Sequence, residues 1–254
     1  MRGAWLEELT WPEAQKWIEA DRIIVIPVGA ISKEHGHHLP LNTDYLLARA
    51  ITQGVIEALP VLAAPVITAG YYPAFRHYPG SQHLSPATFQ AVIEETIGRF
   101  IEQGARNLAV INTGVSTEPV IRIALRETLE RSGVRVPVAD IRRLGKRTDG
   151  LLQQKLGGHG DEHETSLIMA IKPGAVRLEQ ARVDYGNLLD APKTVFEVPS
   201  IYNPSPGSGI DYSAHGIHGD PTLATVEKGR AILEAMVQDV VEGFRALFHT
   251  ESSA

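Results

Sequence analysis

The segment Lys33-Glu34-His35-Gly36-His37-His38-Leu39-Pro40-Leu41-Asn42-Thr43-Asp44 gathers three imidazoles and two carboxylates into a short span. Such nitrogen and oxygen donors suit Zn²⁺, Mn²⁺ or Fe²⁺. Asp44 is the natural bridge if two ions bind, because one carboxylate can give an oxygen to each. Glu34 and His35 are sequence neighbours, and in an extended segment neighbours point to opposite sides. Gly36 supplies the kink that would bring both to one centre.

A second cluster, Gly157-Gly158-His159-Gly160-Asp161-Glu162-His163-Glu164-Thr165-Ser166, adds two imidazoles and three acids. His159 and His163 are spaced to share a helical face, but the surrounding glycines argue that His159 lies in a loop. Glu164 reads either as a metal ligand or as an acid favouring the first turn of a helix. Two acidic histidine clusters in one chain are most simply explained by a shared site. His77 and His83, which flank Tyr78-Pro79-Gly80-Ser81, read as surface groups or supports rather than ligands. So do His215 and His218, in a segment of turn residues, and His249 near the chain end reads as solvated. Asn112-Thr113-Gly114 suits hydrogen bonding to a substrate. The chain has neither a glycine-rich phosphate cradle nor a Gly-x-Ser-x-Gly nucleophile elbow.

Elements must carry these residues to one place. The apolar run Ile23–Val28 predicts a buried strand, which puts the first cluster at a strand end, where open α/β sheets hold ligands. Thr10, Pro12 and Glu13 predict a capped helix to about Ala20. A second helix starts at Asp44, whose carboxylate favours the helix N-terminus. Strands are predicted at Val61–Thr68, Leu108–Ile111 and Val134–Val138. Helices are predicted from Ser85-Pro86 to near Gly104, at Glu118–Ser132, at Glu164–Ile171 and at Thr222–Phe248. The segment Pro173–Gly219 reads as irregular and placed over the site. Alternation of strand and helix predicts one α/β domain, residues 1–254, with a mostly parallel sheet and helices on both faces.

Composition bounds the chemistry. The 254 residues are 43% hydrophobic and 21% charged, as in an ordinary globular chain. A net charge of −6 gives no reason to expect nucleic-acid binding. With no cysteine, any metal must be held by nitrogen and oxygen, and the chain suits a reducing cytoplasm. The N-terminus turns acidic where a signal peptide needs an apolar core. No apolar run approaches membrane-spanning length, so no membrane partner is expected.

Taken together, these residues resemble the creatininase (creatinine amidohydrolase) family. The hallmark of a strand ending in Pro-x-Gly, then an acid and His-Gly-x-His-Leu-Pro-x-x-x-Asp, is met by Pro27-Val28-Gly29 and by Glu34 through Asp44. Pro79-Gly80-Ser81, the helix start Leu84–Phe89, His159 through Ser166 (with Asp161 in place of Gly) and Gly219 through Gly229 match further family elements in order. The resemblance implies a single α/β domain, often hexameric, with one or two divalent metals hydrolysing a C–N bond of a small cyclic or linear amide. It implies that Glu34, His35 and Asp44 hold metal with Glu164 as a further ligand. His159 would be the general acid/base, and Ser81, Asn112 and His37 would lie at the substrate.

Two features depart from the family pattern. The family spaces its first acid and histidine by one residue, whereas Glu34 and His35 are adjacent. The family's Asn-Gly-His after the third strand is replaced by Asn112-Thr113-Gly114, without the histidine. Either His37 or His83 replaces that imidazole, or one ion binds, or none. The expectation is a metal-dependent amidohydrolase, with a non-catalytic small-molecule-binding relative or a deformylase or peptide-cleaving member as alternatives.

Overall fold

The computed structural model describes residues 2–186, 194–196 and 198–248; His249 lies outside them. Five parallel strands, β1 (Ala4–Trp5), β2 (Ile24–Val28), β3 (Leu62–Ala63), β4 (Leu108–Asn112) and β5 (Val138–Asp140), lie side by side in the order β1-β3-β2-β4-β5. The central pair, β2 and β4, is buried along its whole length, as strands covered on both faces must be.

Alternate residues of these strands feed two cores, because successive side chains point to opposite faces. Val25, Ala109 and Ile111 pack with residues of α2 (Thr43–Ala58), α5 (Glu162–Ile171) and α6 (Val226–Phe248). Ile24, Ile26, Val28, Leu108 and Val110 pack with residues of α3 (Pro86–Glu102) and α4 (Glu118–Ser132), with Trp17 and Ile18 of α1 (Trp11–Glu19) alongside. The expected parallel sheet with helices on both faces is therefore present. Its register pairs Val28 with Asn112 and Asn112 with Asp140, so three strands end on one edge.

Local signals act as read. Glu13 Oε2 accepts from the Thr10 N–H at 2.8 Å, Ser85 Oγ accepts from the Thr88 N–H at 3.2 Å, and Gly133 ends α4 in the left-handed region. Several boundaries move. The strand expected over Val61–Thr68 keeps only Leu62–Ala63, because Pro65 cannot donate to the ladder; Ile67 rejoins as a single bridge to Val28. The strand expected over Val134–Val138 begins only after Pro137, at Val138, for the same reason. Helix α5 starts two residues early, at Glu162, since Asp161 is its cap and accepts from the Glu164 N–H at 3.0 Å. The last helix starts at Val226 rather than Thr222, after a 3-10 turn at Pro221–Leu223. Where described, Pro173–Gly219 holds only 3-10 turns and isolated bridges. Among the described residues no helix is long and apolar enough to cross a membrane.

Candidate metal centre

The loop after β2 folds back on the start of α2. The Lys33 N–H donates to the Leu41 carbonyl at 3.1 Å and the Tyr45 N–H to the Ala30 carbonyl at 3.1 Å. This closure brings the first turn of α2 against the histidine loop. Asp44 Oδ1 lies 2.9 Å from His35 Nε2, and Asp44 Oδ2 accepts from Lys33 Nζ at 3.0 Å. Lys33 Nζ is also 3.5 Å from His35 Nε2. His35 Nδ1 faces the Lys33 carbonyl at 3.0 Å, so Nδ1–H donates there and Nε2 is the nitrogen turned to the centre. All three side chains are buried. Sequence reasoning passes over Lys33, although the displaced acid hinted at it: Lys33 stands two residues before His35, where the family pattern puts a carboxylate.

Glu34 turns the other way, as neighbours in an extended segment do. Gly36 kinks with φ +78°, and its N–H donates to Glu34 Oε2 at 2.8 Å. Glu34 Oε1 then meets Nε2 of His159 at 2.6 Å. His159 sits in the loop before α5, its carbonyl accepting from the His218 N–H at 2.8 Å. Its Nδ1 is 3.9 Å from Glu164 Oε2, which also accepts from the Gly160 N–H at 2.6 Å. The His35 and His159 rings are 4.7 Å apart. One donor atom from each of His35, His159 and Glu164 falls within 4.8 Å of the other two. The kink at Gly36 thus joins the two histidine clusters, but it sends Glu34 to His159 rather than into this trio.

The remaining expected residues have other partners. Ser81 Oγ accepts from the Glu34 N–H at 3.0 Å and so fixes the loop backbone. His37 is exposed at the rim, 5.3 Å from the His215 ring. The Asn112 amide is fully buried and spent internally: it donates to the Gly114 carbonyl at 2.8 Å and to Asp140 at 3.0 Å, and accepts from Thr117 Oγ1 at 2.8 Å. His38 is buried on Thr165 Oγ1 at 2.8 Å. His83 packs against Tyr71 and Tyr72, with Nδ1 on the Leu84 carbonyl. Two aromatic residues escaped the sequence reading because their loops carry no periodic pattern. Phe75 lies 4.1 Å from the His159 ring with Lys33 Nζ 5.2 Å from its centroid, and Tyr202 stands 5.8 Å beyond it.

Burial sets the electrostatics. It raises Glu34 to about 7 against the opposing Gly36 hydrogen bond, and it holds His159 well below the usual imidazole range, hence neutral. Burial likewise raises Glu164. Around Asp44 burial again opposes charge, but Lys33 and His35 outweigh it and hold the carboxyl well below its ordinary value. Lys33 and His35 are raised in turn, the Asp44 carboxylate overcoming the burial penalty on each. Among the described residues the site is thus an ion-paired Lys33–Asp44–His35 unit facing a neutral His159 between two reluctant carboxylates.

Known proteins share this architecture. A family model described as creatinine amidohydrolase (Creatininase) matches residues 7–244. The chain is 30% identical to the creatinine amidohydrolase of Pseudomonas putida, over 97% of this chain and 98% of that protein. It is 30% identical to the mycofactocin precursor peptide peptidase of Mycobacterium tuberculosis, over 86% of this chain and 82% of that protein. A solved creatinine amidohydrolase (creatininase) superposes with a TM-score of 0.82 at 26% identity, covering 99% of this chain and 100% of that one. A creatininase mutant of Zn-Zn type gives 0.83 at 26%, covering 98% and 99%.

Proposed function

The chain belongs to the creatininase family, whose members are amidohydrolases, and on that premise we propose that it hydrolyses the C–N bond of a small amide at the His35–His159–Glu164 centre with the help of one divalent ion. The observation that carries this reading is the convergence of those three donors within 4.8 Å. The donor set fits Zn²⁺ or Mn²⁺, with Fe²⁺ also suited to two imidazoles and a carboxylate. His35 would bind through Nε2 and His159 through Nδ1. The far nitrogen of each already has a partner, the Lys33 carbonyl and Glu34 respectively, as metal-binding imidazoles require. A bound ion would polarise the amide carbonyl and ease deprotonation of water.

The protein's own groups supply the rest. With Nδ1 free for an ion, His159 Nε2–H donates to Glu34 Oε1, and burial lifts Glu34 to about 7, so that its carboxylate can take up a proton near neutrality. The Glu34 carboxylate can take a proton from water and return it to the leaving nitrogen, with His159 Nε2–H holding it in place. Phe75 and Tyr202 form an apolar wall beside His159 that suits a small planar amide. Ser81 and Asn112 support this reading as residues that shape the two loops, and His37 as a group at the entrance. The cysteine-free chain suits the cytoplasm, and the exposed Trp11 suits burial in a homo-oligomer.

Equal identity to a creatinine amidohydrolase and to a peptide peptidase sets the assay panel. It should contain cyclic lactams, formamides and short peptides, tested on chelated and on Zn- or Mn-reconstituted protein. Metal-dependent turnover that disappears in His159→Ala is expected. Full activity after chelation, or ligand binding without turnover of any amide, would overturn the reading.

A further inference from the structure

The Asp44 side of the centre contains a cation that belongs to the chain. A carboxylate that bridges two metal ions needs an oxygen for each. Here Asp44 Oδ2 accepts from Lys33 Nζ at 3.0 Å, which leaves only Oδ1, 2.9 Å from His35 Nε2, to face the centre. The ammonium is buried, with its side chain 6% exposed, and Phe75 lies against it. It cannot swing out to solvent without unpacking the loop and leaving Asp44 unpaired.

Charge balance points the same way. Three carboxylates, Glu34, Asp44 and Glu164, face the centre against one lysine ammonium. Of the other buried acids nearby, Asp161 is held by the N-terminus of α5 and by the Gln154 amide at 2.8 Å, and Glu162 is paired with Lys228. Once an ion binds, with the imidazoles neutral, as ligands must be, and the three carboxylates ionised, an excess of two negative charges remains for the metal to balance. One divalent ion cancels it, whereas two would leave a closed pocket two charges positive, which a low-dielectric site does not tolerate.

Resting on the reading of His35, His159 and Glu164 as donors, we infer that the Lys33 ammonium is a built-in cation on the Asp44 side, so that the centre takes one divalent ion and not a pair. The chain would keep the amidohydrolase scaffold while replacing one exchangeable metal by a covalently attached charge.

Metal stoichiometry, read independently of activity, tests this. Wild-type protein reconstituted with excess Mn²⁺ and dialysed should retain one equivalent by elemental analysis. Its electron paramagnetic resonance spectrum should be that of an isolated Mn²⁺, not of an exchange-coupled pair. Lys33→Glu should bind one equivalent more than wild type. Two equivalents or a coupled pair in wild type would overturn the role of Lys33 while leaving the three-donor reading intact. No metal in wild type would overturn the three-donor reading. Lys33 would then be judged by Lys33→Glu: a gained ion upholds its exclusion of metal, and no gain overturns it. If Lys33→Glu does not fold, the wild-type resonance spectrum decides alone.

Discussion

Glu34 Oε1 lies 2.6 Å from His159 Nε2, a contact that spans 125 residues of sequence. It fixes the imidazole so that Nδ1 faces Glu164, and it gives the ring a proton partner. Glu34→Gln should keep the fold and the hydrogen bond's shape but lose the carboxylate. Activity should fall by roughly 10–100-fold, with metal bound more weakly, as for other lost supports of ligating histidines. Steady-state rates alongside a Zn²⁺ or Mn²⁺ titration check this, and unchanged values would show that Glu34 does not orient His159.

Lys33→Met should leave the Asp44 carboxylate buried without its ammonium. Breaking a buried pair by removing one partner costs about 3–5 kcal/mol, so denaturant midpoints should drop sharply. Excess divalent ion should recover part of the loss by taking the vacated cation position. A drop that metal does not relieve would argue that Lys33 acts only in packing.

Gly216 has φ +69°, and a methyl group there would overlap the Glu34 carboxylate. Gly216→Ala therefore carries backbone strain of about 1–3 kcal/mol and displaces Glu34 from His159. Loss of stability should come with a loss of rate similar to that of Glu34→Gln. Thermal melts and kinetics measured together check the linkage; a destabilised variant at full rate would refute it.

His38 is buried on Thr165, and burial lowers its pKa from 6.5 to about 4. The unfolded imidazole gains a proton below its ordinary value, while the folded one resists until near 4. The neutral ring's contribution is therefore whole above pH 6.5 and lost as pH falls through about 4. That shift is worth about 3 kcal/mol at most. Denaturant unfolding of wild type and His38→Gln across this window should show the steeper acid loss in wild type. Parallel curves would mean that His38 titrates normally.

The sequence by itself determined the layers and the chemistry. Apolar runs such as Ile23–Val28 and Leu108–Ile111 read as buried strands and are doubly covered in the fold, and Thr10, Ser85 and Gly133 mark helix ends through bonds made within a few residues. The two histidine clusters announced nitrogen and oxygen ligation because residue type alone carries that information. The proline-bearing strands were misread where a missing N–H overrides an apolar pattern, at Pro65 and Pro137. Which donors share a centre was decided only by the tertiary structure. Glu34 and His35 are neighbours in sequence yet serve different partners, since the kink at Gly36 and the fold-back onto α2 set their directions. Lys33, unremarkable in a list of residues, becomes the cation of the site because chain closure buries it on Asp44, and a buried charge must find its opposite.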